Sequence, residues 1–448
     1  MSAATDTNTH NRMTNEPIEN LLVSLSIPTI LSMMITTLYN LVDTAFVGTL
    51  GTSQSGATGI VSGFMAILQA IAFMCGQGSG SIMSRKLGAK DLDEATKYSS
   101  TGFFFSFLLG LIIAVLSFVY LTPLVMFLGS TETIAPYAKT YLIYILISAP
   151  FFTSSLTMNN LLRYEGMAKL GTIALLSGSV LNIFGDALFM FGFKMGIAGA
   201  GLATAISQTI SFSIMLSMFL RGKTQTKISL KYLSRKADAF IEIATTGFPS
   251  LLRQGLNSVA TMLLNRSAAV YGDQAVAAMS IVSRISFFPM AVAVGIGQGF
   301  QPISAFNFGA GRKDRVKEAF RKAFIGSEIA LFIISVPIFI FAGPVVGKLR
   351  DDIEVINIGK DALRYMCVSQ LFIPLTMMIE MGFQSTGQKL LASFGSSLRS
   401  GVILIPVLMV VARTHGLFGI QIAQPISHVL TFIVCLFLLK IYMDKLKE

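Results

Sequence analysis

The chain runs as long apolar blocks separated by short polar stretches, and the apolar blocks recur twelve times. They cover residues 21–48, 57–84, 99–128, 136–162, 170–192, 197–220, 239–270, 275–308, 320–347, 357–386, 390–413 and 417–441. A helix of about 20 residues crosses a hydrocarbon core, so each block is long enough to span a bilayer. Several exceed that length, which predicts tilt or protrusion into water. The pattern predicts an all-α polytopic membrane protein with 12 transmembrane helices. Composition agrees: 53% of the 448 residues are hydrophobic and 13% charged, about half the charge of a soluble domain. A water-soluble globule, a disordered chain and a collagen-like rod are all excluded.

One polar stretch divides the chain. Residues 222–238 are basic and lack an apolar face, which makes them the natural linker between two six-helix halves. The predicted organisation is a polar, flexible tail over 1–20, an N-lobe over 21–221, the linker, a C-lobe over 239–441 and a tail over 442–448. The halves read as repeats. At an offset of 221, Gly76-Gln77-Gly78 falls on Gly297-Gln298-Gly299, Gly88-Ala89 on Gly309-Ala310, Pro28 on Pro249 and Pro123 on Pro344. Near the end of each half the offset slips to 220, where Gly199, Ala203, Ile206 and Ser207 meet Gly419, Ala423, Ile426 and Ser427. Two aligned prolines among 13, with an aligned Gly-Gln-Gly, exceed what chance alignment offers. Six spans is an even number, so both repeats run the same way through the membrane as pseudo-symmetric lobes. Duplicated halves of this kind enclose a substrate site and alternate access to it. The pattern predicts a transporter.

The net charge of +11 raises nucleic acid as a partner, but position argues otherwise. With the N-terminus inside, about 23 of the 34 Lys and Arg fall on one face and about six on the other. That asymmetry in short loops predicts cytoplasmic N- and C-termini. The positive charge is a topology signal, so no nucleic-acid partner is expected. Cys75, Cys367 and Cys435 all lie in apolar spans, are odd in number and read as packing residues.

A carboxylate inside a span costs about 2.5–3.5 kcal/mol on insertion scales, so each one needs a compensating role. Asp43 lies five residues before the outer end of span one. Asn182 and Asp186 are four apart and share one face of span five. Asp186 and Thr204 lie on either side of the turn near Lys194, each roughly 12–15 Å below the outer end at 1.5 Å per residue. The same count puts Asp43 roughly 8 Å deep. Four oxygen-bearing side chains thus converge in the outer half of one lobe. Hard oxygen ligands suit Na⁺, whereas two carboxylates in contact favour sharing a proton. Either reading couples the lobe to an ion gradient, with no other cofactor. A purely structural role is opposed by the repeat, whose counterparts are Leu264 and Pro406 or Val407.

Several strings resemble one transporter family. Leu38-Tyr39-Asn40-Leu41-Val42-Asp43-Thr44, Gly76-Gln77-Gly78 followed by Arg85-Lys86-Leu87-Gly88-Ala89, Leu181-Asn182-Ile183 with Asp186, and Gly196-Ile197-Ala198-Gly199-Ala200-Gly201 are together similar to the multidrug and toxic compound extrusion (MATE) family. The likeness runs from about 21 to 440. It implies two six-helix lobes forming a V, and export of drug-like organic cations coupled to a cation gradient. Asp43, Asn182, Asp186 and Thr204 resemble that family's N-lobe cation site. The glutamate that another branch carries in span seven has no counterpart between Pro249 and Asn265.

Other residues complete the expectation. Met33, Tyr39, Met65, Met158, Asn159, Phe287 and Met290 are placed at a substrate cleft by span position, since thioethers and aromatic faces suit flat lipophilic cations. Glu380 and Arg284 join that set: Glu380 as a substrate contact or a solvated helix end, Arg284 as a structural clamp needing a counter-ion. His428 reads as a satisfied packing residue, and Arg253 and Arg399 as snorkelling or locally paired residues without an assigned function. No Walker A run, metal-spaced His/Cys cluster or Ser/His/Asp set is present, so no enzyme is expected. The expected protein is a monomeric antiporter of the cell (inner) membrane, exporting organic cations while Na⁺ or H⁺ enters. The alternative is a flippase for a lipid-linked precursor.

Overall fold

A computed structural model describes residues 2–447, with side chains from Thr9 onward. The described residues are helical apart from short turns and the mostly irregular segment 221–236: α1 Ser2–Asn15, α2 Ile18–Gly48, α3 Thr52–Gly88, α4 Leu92–Val119, α5 Leu121–Phe127, α6 Ala135–Tyr164, α7 Ala168–Asp186 and α8 Ile197–Leu220 form the first half. The second half comprises α9 Ala237–Ala269, α10 Asp273–Gly309, α11 Lys313–Ile340, α12 Ala342–Leu349, α13 Ile353–Gln370, α14 Ile373–Ser385, α15 Lys389–Ser397 and α16 Leu404–Lys445. Among the described residues, nine helical stretches are long and apolar enough to cross a membrane by themselves. The bent pair α13–α14 (48°) adds a span, α16 and its lead-in divide at Gly416 into two, and the more polar α9 completes twelve.

The repeat is visible in the backbone. Helices α3 and α10 have 37 residues each and begin and end at an offset of 221, as do the 28-residue α4 and α11. Helices α5 and α12 both restart after a break at Tyr120 and Phe341, which places Pro123 and Pro344 in a first turn, where proline removes no helical hydrogen bond. Gly196 and Gly416, 220 apart, share φ/ψ near 57°/−136° and 61°/−135°, a conformation open to glycine. They turn the chain tightly enough for the next helix to pack against the preceding one. A Cβ on Gly199 would stand 2.7 Å from the Phe189 carbonyl carbon, and one on Gly419 2.0 Å from Val411 O.

Two compact units emerge. The first comprises 1–15 and 31–247, the second 16–30 and 248–448. The first turns of α2 therefore pack with the second unit, and those of α9 with the first. Both handovers fall within three residues of a proline, Pro28 or Pro249. The Gly-Gln-Gly strings explain the seat. A Cβ on Gly78 would meet Ile243 O at 2.2 Å, and one on Gly299 would meet Ser26 Oγ at 2.2 Å. Only a hydrogen lets α9 lie on α3 in one unit, and α2 on α10 in the other, at backbone distance.

Each unit has its own apolar core, around Phe64, Leu68, Leu142 and Ile145 in the first and Leu264, Met279, Val282 and Leu363 in the second. The outward faces are apolar too: Leu111, Val115 and Phe118 on α4 and Ile329, Phe332 and Ile333 on α11 are exposed. In a protein this hydrophobic, such faces meet lipid.

One expectation needs correction. The polar lead expected to be flexible forms α1, whose Met13 is fully buried against Gly166 and whose His10 lies 3.4 Å from Gly88 O. One apolar side chain at the right turn suffices to dock it. The 222–238 linker is pinned to the first unit. Glu165, fully buried at the end of α6, accepts Gln225 N at 2.9 Å and Thr226 N at 3.1 Å. Ser100 donates to Lys227 O at 2.8 Å, and Ser234 N donates to Thr101 Oγ1 at 3.0 Å.

Candidate functional site

In the first unit, four helices bring polar groups together. Asp43 comes from the last turns of α2, Asn182 and Asp186 from one face of α7, Thr204 from α8 and Tyr141 from α6. Asn182 Nδ2 donates to Thr204 Oγ1 at 3.2 Å. Tyr141 Oη donates to Asp43 Oδ2 at 3.2 Å and lies 3.5 Å from Thr204 Oγ1. The carboxyls of Asp43 and Asp186 stand within hydrogen-bonding reach of each other. Asn182, Asp186 and Thr204 are buried, and Asp43 is half-buried.

The count of donors against acceptors is the informative feature. Asp43 Oδ1, Asn182 Oδ1 and both oxygens of Asp186 are buried and receive no donor from the protein. Buried polar atoms normally find partners, and an ionised carboxylate can only accept. Two ionised acids in contact repel. One proton turns that contact into a hydrogen bond, and a hard cation turns the four oxygens into ligands. The donor set is all oxygen and includes two carboxylates, which suits a hard cation or a proton.

Local structure explains the convergence. Asp186 closes α7, and the chain continues as a π-turn over Ala187–Gly192, the kind of irregularity that recurs at functional sites. Gly201 makes room for the aromatic wall: a Cβ there would lie 3.0 Å from the Tyr141 ring and 2.8 Å from that of Tyr144. Tyr141 escaped the sequence reading, because nothing in its spacing separates it from other aromatics in the spans. Its place beside the Gly196–Gly201 string is set only by the α6–α8 packing.

The expected cleft residues fare unevenly. Tyr39 is half-buried one turn before Asp43, and Met33, Met65, Asn159 and Met290 are also half-buried. Phe287 is exposed. Met158 is fully buried and lines no cleft, since α6 turns that face into its own unit. Asn159 packs on Gly171, where a Cβ would meet its Nδ2 at 2.5 Å. Glu380 is not a solvated helix end: it is 4% exposed and ion-paired to Arg253 at 2.5 Å. Arg284 is no clamp, being exposed on α10 without an ion-pair partner among the described residues. His428 is satisfied by Ser369 Oγ at 3.1 Å. The three cysteines are free and buried. Glu328, a half-buried acid in the middle of α11, is not among the sequence-predicted residues, although by the same rule of acids in apolar spans it belongs with them.

Twelve membrane helices in two six-helix halves, with acids buried among them, define a polytopic transporter and not an enzyme. The MatE family model matches residues 28–188 and 249–410, one segment per lobe, and the chain belongs to that family. It is 27% identical over 426 residues to the multidrug export protein MepA of Staphylococcus saprophyticus, covering 95% of this chain and 94% of that protein. Against MepA of Staphylococcus aureus (strain MW2) it is 25% identical over 431 residues, covering 96% and 95%. Among solved structures, it matches MATE in the straight conformation with a TM-score of 0.91 at 25% identity, covering 97% of this chain and 98% of that one. An outward-facing multidrug resistance MATE transporter of the MOP superfamily matches with a TM-score of 0.92 at 24% identity, over 97% and 98%.

Proposed function

We propose that this protein exports lipophilic organic cations across the cell membrane in exchange for Na⁺ or H⁺, with the coupling ion held by Asp43, Asn182, Asp186 and Thr204. The observation that carries the reading is the set of four buried oxygens that receive no donor. Ion binding relieves the repulsion between Asp43 and Asp186 and so favours one conformation of the lobe, while substrate favours the other. A tenfold coupling needs only about 1.4 kcal/mol of such difference. The multidrug export proteins to which the chain is similar support drug-like substrates. So do the polar faces that hydrocarbon would reject: Asn257, Ser258 and Thr261 on α9 and Arg284 on α10 are all exposed. The basic loops support cytoplasmic termini.

The test is transport in proteoliposomes loaded with ethidium, under separate Na⁺ and H⁺ gradients. Wild type moves the dye under at least one gradient, and Asp43→Asn and Asp186→Asn do not. Gradient-driven movement surviving in both variants removes the coupling role from this pair. Wild type that moves no organic cation under either gradient removes the antiport reading.

A further inference from the structure

The second unit holds a buried charge cluster that the coupling site does not use. Glu380 on α14 is bonded to Arg253 Nη1 of α9 at 2.5 Å, and both are buried. Arg399 lies on the π-turn Leu398–Val402 between α15 and α16, close to both. Its guanidinium contacts Met290 Sδ at 3.5 Å, and a thioether is a weak acceptor that offsets no charge. Guanidinium groups stay protonated, so two cations face one carboxylate, and that carboxylate is already bonded to Arg253. The remaining neighbour, His428, brings no negative charge.

The position is built. Ser427, fully buried on α16, donates to Arg399 O at 2.8 Å and fixes the main chain of the π-turn. Ser396, one turn before Arg399 on the same helix, is buried, and its Oγ has no partner. Gly395 lies on Glu380, where a Cβ would meet the Glu380 Cβ at 3.4 Å. Arg399 itself is half-buried, whereas Arg253 and Glu380 are both buried.

We propose that Arg399, with Ser396 beside it, is an anion receptor that takes a carboxylate of the transported molecule, so that the second lobe selects substrates carrying an acid group as well as a cationic one. This rests on the transport reading above. A carboxylate matches a guanidinium bidentately, and its arrival gives each of the two arginines an acid.

Rhodamine B, a zwitterion with a free carboxylate, and its ethyl ester, a plain cation, share one chromophore and separate the charge from the shape. Binding to purified protein is read by fluorescence polarisation in methanesulfonate buffer, which is free of carboxylate. Wild type is expected to bind rhodamine B about tenfold more tightly than the ester, as one charge-assisted contact provides. Arg399→Gln loses that preference with ester affinity unchanged, and Arg399→Lys keeps part of it. Glu380→Gln, which releases Arg253, widens the preference. An unchanged acid-to-ester ratio in Arg399→Gln overturns the proposal. If Arg399→Gln does not fold, a ratio left unmoved in both Arg399→Lys and Glu380→Gln does so. A wild-type preference that vanishes when chloride replaces methanesulfonate assigns the site to a halide and also overturns it. Should neither dye move under any gradient while the preference persists, the transport reading fails and the receptor stands. Gradient-driven export of the ester without an acid preference means the reverse.

Discussion

Replacing Asp186 with asparagine perturbs the acid pair most directly. Asp186 is fully buried, neither oxygen receives a donor, and the charged group beside it is Asp43. Two carboxylates about 4 Å apart at an effective dielectric near 20 repel by roughly 4 kcal/mol. A bound cation removes that repulsion, so it stabilises the folded lobe as well as coupling it. The amide removes one charge and supplies a donor, relieving the repulsion before any cation arrives. Thermal unfolding of purified protein, with Na⁺ titrated at fixed pH and pH titrated without Na⁺, reads this out. A cation present at a hundred times its Kd stabilises wild type by about 2.7 kcal/mol. For a lobe of some 200 residues that raises Tm by about 5–10 °C. Asp186→Asn should start near the cation-bound wild-type Tm and stay there. Asp43→Asn should be equally unresponsive but start lower, because the Tyr141 hydrogen bond to a charged acceptor, worth about 1.5–3 kcal/mol, is weakened. A variant that keeps the full wild-type rise with either cation refutes the reasoning.

Three further outcomes follow from packing. Gly201→Val forces a side chain into the Tyr141 and Tyr144 rings. It should cost about 1–3 kcal/mol and blunt the cation-dependent rise in Tm by displacing the Tyr141 hydroxyl. Gly247→Val, whose Cβ would lie 1.8 Å from Met74 O, should abolish folded protein in size-exclusion profiles, whereas Gly59→Ala, with nothing within 4 Å, should be stable within about 0.5 kcal/mol or gain slightly. Glu165→Ala removes the acceptor of Gln225 N and Thr226 N. Trypsin should then cut at Lys223, Lys227, Lys231 or Arg235 at least about tenfold faster, the loss of roughly 1.4 kcal/mol of local protection; an unchanged cleavage rate would show that the linker is held by other contacts.

The span pattern and the repeat were legible because membrane helices advertise themselves by length and because duplicated helices keep their punctuation. Pro123 with Pro344, and Gly196 with Gly416, mark the same breaks in each half. The exchange of first turns was not legible. It depends on Gly78 and Gly299 meeting another helix at backbone distance, and a glycine in a span looks the same whether it meets a helix or lipid. Asp43, Asn182, Asp186 and Thr204 stand out in the sequence because acids are rare in apolar spans and helical spacing puts two of the residues on one face. Tyr141, Met158 and Arg284 were missed or misplaced for one reason: which face of a helix turns inward depends on neighbours distant in sequence. Met158 and Met290 are equally apolar, yet one is sealed in a core and the other touches Arg399.

The two lobes share a scaffold without sharing a chemistry. The repeat places Leu264 opposite Asp43, and Leu264 is 1% exposed in an apolar cluster with Ala260, Ala268 and Met279. A carboxyl at that position would be buried among side chains that offer it no partner, so the proposed ion site of the first lobe has no counterpart there in the second. The π-turns differ as well. One follows Asp186 over Ala187–Gly192, while the other sits earlier in its repeat, over Leu398–Val402, and carries Arg399. Each inserts its extra residue at a different height and so presents a different charge, an acid in one lobe and a guanidinium in the other. A chain with two ion sites built by duplication would bind two cations. This one should bind a single coupling cation, and calorimetric titration with Na⁺ at alkaline pH, or proton release on Na⁺ binding, should give a stoichiometry near one that falls to zero in Asp43→Asn. A second equivalent event per chain would mean that oxygens outside the first lobe also hold the ion.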